Sequence, residues 1–146
     1  KIIFAVRDPR DVVFSCFRRR FGMSNASYEF CTLAGSAELF CAVMRQFHLT
    51  RAKMPTPILE RRYEDMVRDL RGTVEHVCKF IGVDWRQDMV AFSEGARQRP
   101  LSTVSAPQLT QGLFDGAESW RNYRDFMAPH LTSLAPWVAR FGYALD

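Results

Sequence analysis

Lys1-Ile2-Ile3-Phe4-Ala5-Val6-Arg7-Asp8-Pro9-Arg10-Asp11-Val12-Val13-Phe14-Ser15-Cys16-Phe17-Arg18-Arg19-Arg20 opens the chain and decides its class. Ile2 to Val6 is an apolar run of strand length that ends at Arg7. Asp8 then stands where a helix N-cap would, and Pro9 suits the first helical position, where its missing N–H costs nothing. Arg10 to Arg20 can continue as a helix. A strand, an arginine and a capped helix start form the arrangement by which an α/β sheet presents an anion site at a strand's carboxyl end. In such a helix Ser15 and Arg19 are four apart and share one face. With Arg7 they offer two guanidinium groups and a hydroxyl, a donor set suited to phosphate oxygens.

The charge pattern supports an anion partner and argues against nucleic acid. The opening twenty residues hold six positive and two negative charges, which accounts for the whole formal charge of +4 of the 146-residue chain. The remainder is neutral overall, so no extended basic face is expected. The length suits one domain or part of one, and 47% hydrophobic residues suit a globular chain. No apolar run reaches membrane-spanning length. The start on a lysine reads as a truncated N-terminus, with any leader or anchor lying upstream. Cys16, Cys31, Cys41 and Cys78 form no C-x-x-C pair. They read as small core hydrophobes in a reducing, cytoplasmic setting.

Further along, a polar break at 22–27 precedes a single long helix over 28–53. Its apolar stripe is Phe30, Leu33, Ala37, Phe40, Met44 and Phe47. Ile58 to Tyr63 reads as a second strand, parallel to the first across the helical connection. Thr73 to Ile81 has helical spacing and Gly82 follows as its cap. A short helix is expected near 87–92. Residues 93–116 are rich in Pro, Gly, Ser and Thr and read as a long loop, of a kind that is either functional or disordered. Two helices, 118–127 and 129–141, close the chain. The fold class is therefore α/β, with a parallel sheet flanked by helices, incomplete here and rich in helix.

These residues resemble the sulfotransferases that use 3′-phosphoadenylyl sulfate. The run Ile2 to Arg20 is similar to that family's second nucleotide motif. Arg62-Tyr63-Glu64-Asp65 resembles its tyrosine-glutamate strand end, and Phe80-Ile81-Gly82-Val83-Asp84-Trp85 the segment after the next helix. Thr103 to Leu109, Leu113-Phe114 and Trp120-Arg121-Asn122-Tyr123 resemble its C-terminal nucleotide loop. The tyrosylprotein sulfotransferases and the bacterial sulfotransferases fused to TPR repeats are the most similar branch.

The resemblance implies a P-loop-like α/β fold, of which residues 1–146 would be a single partial domain, the C-terminal half. It implies that Arg7, Ser15 and Arg19 hold the nucleotide 3′-phosphate and that Tyr63 lines the adenine side. Thr103, Ser105 and Gln108 would lie in the loop closing over the nucleotide. The family usually has Lys or Arg before the tryptophan, where this chain has Ser119; either Arg121 supplies that charge or the contact is absent. The family's phosphosulfate loop and catalytic base have no counterpart here, so both are expected upstream of Lys1, in cis or on a partner chain. The implied function is sulfuryl transfer from 3′-phosphoadenylyl sulfate to a hydroxyl acceptor without a metal, with this chain alone inactive. Two alternatives stay open: a non-catalytic 3′-phosphonucleotide-binding module, and a kinase-like nucleotide enzyme of the same fold.

Other polar residues read as structural. Arg18 and Arg20 suit solvated charges. Glu64 and Asp65 are adjacent and would point to opposite sides of a strand, which makes them a poor acid–base pair. His48, His76 and His130 have neither metal-site nor triad spacing.

Overall fold

A computed structural model of the chain describes residues 1–19, 21–22, 24–89 and 116–145. The chain divides into two compact units, Lys1–Val6 with Thr56–Gly116 and Arg7–Pro55 with Ala117–Asp146.

The first unit holds a two-stranded parallel sheet, β1 (Ile2–Val6) and β2 (Ile58–Arg62), in register from Ile2 opposite Ile58 to Val6 opposite Arg62. Parallel strands need a long crossover, and the whole stretch between them supplies it. Tyr63 does not extend β2. It begins a short helix, α4 (Tyr63–Arg68), which the alternation of the preceding strand does not announce. Asp69 then caps α5 (Leu70–Ile81), its carboxylate accepting the Gly72 N–H at 2.8 Å. Helix α5 thus starts three residues before the expected Thr73. Its end is as expected: Gly82 takes the left-handed conformation, φ 89°, and its N–H reaches the Cys78 carbonyl at 2.8 Å. Cys78 is buried, its Sγ 3.6 Å from Met89 Sδ. The expected helix near 87–92 is a 3₁₀ turn over Gln87–Met89, and the rest of it lies outside the described residues.

The second unit is helical. Helix α1 (Pro9–Arg18) begins at the expected cap but stops earlier than read. Arg19 is its C-cap with extended backbone, φ −89° and ψ 141°, so helical spacing does not set its direction relative to Ser15. The single helix expected over 28–53 is two: α2 (Asn25–Glu29) and α3 (Leu33–Arg51). Two strong caps cause the division. Ser24 and Ser27 form a reciprocal capping box, and the Thr32 hydroxyl accepts the Gly35 N–H at 3.0 Å. Phe30 therefore leaves the α3 stripe and meets Phe21 instead, ring centroids 4.9 Å apart. Cys31, in the turn between the helices, is exposed rather than core.

The chain closes with a 3₁₀ turn (Ser119–Tyr123) and one helix, α6 (Arg124–Arg140), that runs through Pro129 and Pro136. Two helices divided at Pro129 were expected. Burial overrides the prolines: Met127, Leu134 and Val138 are almost wholly buried, with Leu131 packed against them, so one stripe spans both breaks. Both prolines face outward, where water can satisfy the carbonyls they release. The core of this unit is Val13 and Phe14 of α1, Leu33, Ala37 and Cys41 of α3, Trp120, and the α6 stripe. No described helix is long and apolar enough to cross a membrane.

Candidate anion site on helix α1

The start of α1 is a buried charge knot. Asp8 caps the helix, Oδ1 accepting the Arg10 main-chain N–H at 2.9 Å. The same carboxylate takes the Arg10 guanidinium, Nε at 3.0 Å on Oδ1 and Nη2 at 2.7 Å on Oδ2. Asp8 and Arg10 are 4% and 5% exposed. The Arg10 guanidinium lies 4.1 Å from the centre of the fully buried Trp120 ring. Its charge is therefore committed within the protein, and so is the first N–H of the helix. An anion on this helix must be held from its side, by residues other than Arg10.

Arg7 immediately precedes that knot and is half-buried. Its positive charge acts on Asp11, in the first turn of α1. Ser15, one further turn along, is also half-buried, as is Arg19 at the helix end. Asp11 and Ser15 thus stand four apart on α1, and Arg7 precedes the helix at its Asp8 cap. Arg18 is exposed and lies over the Phe14 ring at 5.2 Å.

Asp11 is 2% exposed. Its Oδ2 accepts the Glu118 N–H at 2.8 Å and its Oδ1 the Trp120 N–H at 2.9 Å. Burial pushes its carboxyl pKa up, opposed by the Trp120 N–H, the Arg7 charge and the Glu118 N–H, with Asp8 adding to the rise. Glu118 itself has φ 58°. A non-glycine residue holds that conformation only where its surroundings impose it. Arg121 follows in the turn, half-buried, its Nε 3.3 Å from Glu118 Oε2 and its guanidinium 5.2 Å from the Trp120 ring centre.

Of the residues singled out in the sequence, the second unit carries Arg7, Ser15, Arg19 and Arg121. Tyr63 belongs to the first unit, half-buried at the N-terminus of α4 where β2 ends. Thr103, Ser105 and Gln108 lie outside the described residues. Asp11 and Glu118 were passed over in the sequence. Asp11 counted there only as a charge, although its place between Arg7 and Ser15 was a signal. Its partners, 107 and 109 positions away, were invisible. Among the described residues no three His, Cys, Asp or Glu side chains cluster as metal ligands.

Comparison with known proteins bears on the chemistry. No curated protein and no solved structure matches the chain significantly. The model of the sulfotransferase family matches residues 1–87, which take in β1, the whole of α1, β2 and α5. The match extends over more than half of the 146 residues. This α/β chain therefore belongs to the sulfotransferase family, whose chemistry is sulfuryl transfer.

Proposed function

We propose that this chain binds 3′-phosphoadenylyl sulfate by its 3′-phosphate and adenosine side, for transfer of the sulfuryl group to a hydroxyl acceptor. The observation that carries the reading is the placement of Arg7 just before the α1 cap and of Ser15 on α1, both inside the segment matched by the family. The donor set fits the nucleotide. Arg7 and Arg19 bring permanent cations and Ser15 a hydroxyl donor, all half-buried, where screening by water is reduced. Arg10 does not compete for the ligand, because Asp8 already neutralises it.

The bound nucleotide supplies an activated sulfuryl group and a phosphate leaving group. This chain's residues hold and orient it. A charged hydrogen bond from Arg7 to the 3′-phosphate contributes about 1.5–3 kcal/mol. Such a contact is made equally before and during transfer, so it sets affinity and specificity rather than the rate of the chemical step. On the family's pattern Tyr63 would line the adenine side, and Arg121 would supply the charge that the family has before the tryptophan.

Calorimetric titration tests the reading, with adenosine 3′,5′-bisphosphate as ligand and 5′-AMP as control, on the wild type and Arg7→Ala. The expected result is binding that needs both the 3′-phosphate and Arg7. Equal affinity for the two nucleotides, in a sample shown to be folded, overturns it.

A further inference from the structure

We infer that Asp11 is a positioning residue for the 3′-phosphonucleotide site, holding the Glu118–Arg121 turn in place against α1. The inference rests on the nucleotide reading above. Asp11 touches no ligand in it and acts through the residues it holds.

Three observations converge. Both carboxylate oxygens of Asp11 are used, one on the Glu118 N–H and one on the Trp120 N–H. These two donors bracket Ser119 and fix the backbone that carries Arg121. Glu118 lies in the left-handed region, which an L-residue leaves unless something holds it, and the bond to Asp11 is made at its own N–H. Asp11 also stands one turn from Ser15 on α1, with the charge of Arg7, which precedes the helix, acting on it. One buried carboxylate thus connects the cation proposed for the phosphate with the turn bearing a second cation.

Charge makes the inference discriminating. A carboxylate beside an anion site repels the anion. If Asp11 were only a charge, Asp11→Asn would tighten binding of adenosine 3′,5′-bisphosphate. If it positions the turn, the same substitution weakens binding in spite of the gain in positive charge. The asparagine keeps one acceptor but turns an NH2 group toward a backbone N–H, so the turn loses one of its two anchors.

The test is calorimetric titration of adenosine 3′,5′-bisphosphate and 5′-AMP into the wild type, Asp11→Asn and the double variant Asp11→Asn/Glu118→Gly. Circular dichroism at the titration temperature establishes that each is folded. The expected result is roughly tenfold weaker binding of the bisphosphate to Asp11→Asn, with 5′-AMP little changed. Partial recovery is expected in the double variant, because glycine adopts the residue-118 conformation without strain. A role confined to stability predicts no such rescue of affinity between folded proteins. Asp11→Glu, which keeps the charge but displaces the oxygens, is read in the same way if the asparagine variant does not fold. Unchanged or tighter binding in these variants, with wild-type binding intact and dependent on Arg7, overturns this inference alone. Loss of 3′-phosphate discrimination in the wild type overturns the nucleotide reading and this inference with it.

Discussion

At the scale of single residues, α1 separates its arginines by what surrounds them. Arg10 is buried on Asp8 and Trp120, whereas Arg7 and Arg19 keep part of their surface in water. Removing one member of a buried ion pair leaves the other charged and desolvated, at a cost of about 3–5 kcal/mol. Arg10→Ala is expected to lose stability in that range by urea unfolding; a loss under about 1 kcal/mol would mean that the pair is solvated. Asp11 gives a signed dependence on pH. Its pKa is raised above 3.8 chiefly by burial, so its carboxyl holds a proton more tightly folded than unfolded. Such a group contributes its full stabilisation below the unfolded pKa and loses it as pH rises through the folded one. The charges that act on this carboxyl are Arg7, which lowers its pKa, and Asp8, which raises it. Urea titrations of wild type and Asp11→Asn should show a larger stability difference near about pH 3.5 than near about pH 7. The opposite trend would show that its hydrogen bonds outweigh its desolvation.

Among the elements, caps and stripes compete for boundaries. The apolar spacing from Phe30 to Phe47 is helical throughout, yet Thr32 divides it, because a side-chain cap satisfies an N–H that the first turn leaves open. Thr32→Ala should cost about 1 kcal/mol in thermal unfolding. In α6 the balance goes the other way. Pro136 interrupts the hydrogen-bond ladder, but Leu134 and Val138 on either side of it are buried in the core. Pro136→Ala should restore a main-chain donor and stabilise by about 1–3 kcal/mol, with a raised melting temperature as the readout. The two boundary errors are opposite: at Thr32 the sequence reading followed the stripe and the cap divided it, whereas at Pro129 it followed the proline and the buried stripe ran through.

For the whole molecule, stability of the helical unit rests on Trp120, Met127, Leu134 and Val138. Leu134, with no exposed surface, is expected to lose about 2–5 kcal/mol on replacement by alanine. Ligand linkage gives an independent check of the proposed site. Adenosine 3′,5′-bisphosphate at about one hundred times its dissociation constant should stabilise the protein by about 2.7 kcal/mol. At the same ligand concentration that stabilisation should fall to about 0.3–1.3 kcal/mol in Arg7→Ala if Arg7 is the phosphate contact.

The sequence by itself determined β1, the Asp8 cap and Pro9 start of α1, the parallel second strand and the Gly82 stop of α5. The caps, the Gly82 stop and the extent of each strand depend on residues within a few positions of one another, where propensity and side-chain caps act directly, and the parallel pairing follows from the long crossover between the strands. It also named Arg7 and Ser15, because strand, arginine and capped helix are contiguous. The end of α1 at Arg18, the commitment of Arg10 to Asp8 and Trp120, and the continuity of α6 through two prolines were decided by tertiary structure. So was the bonding of Asp11 to N–H groups 107 and 109 positions away. Burial and long-range pairing set the energy of a charge or a helix break, and neither exists until the chain has folded.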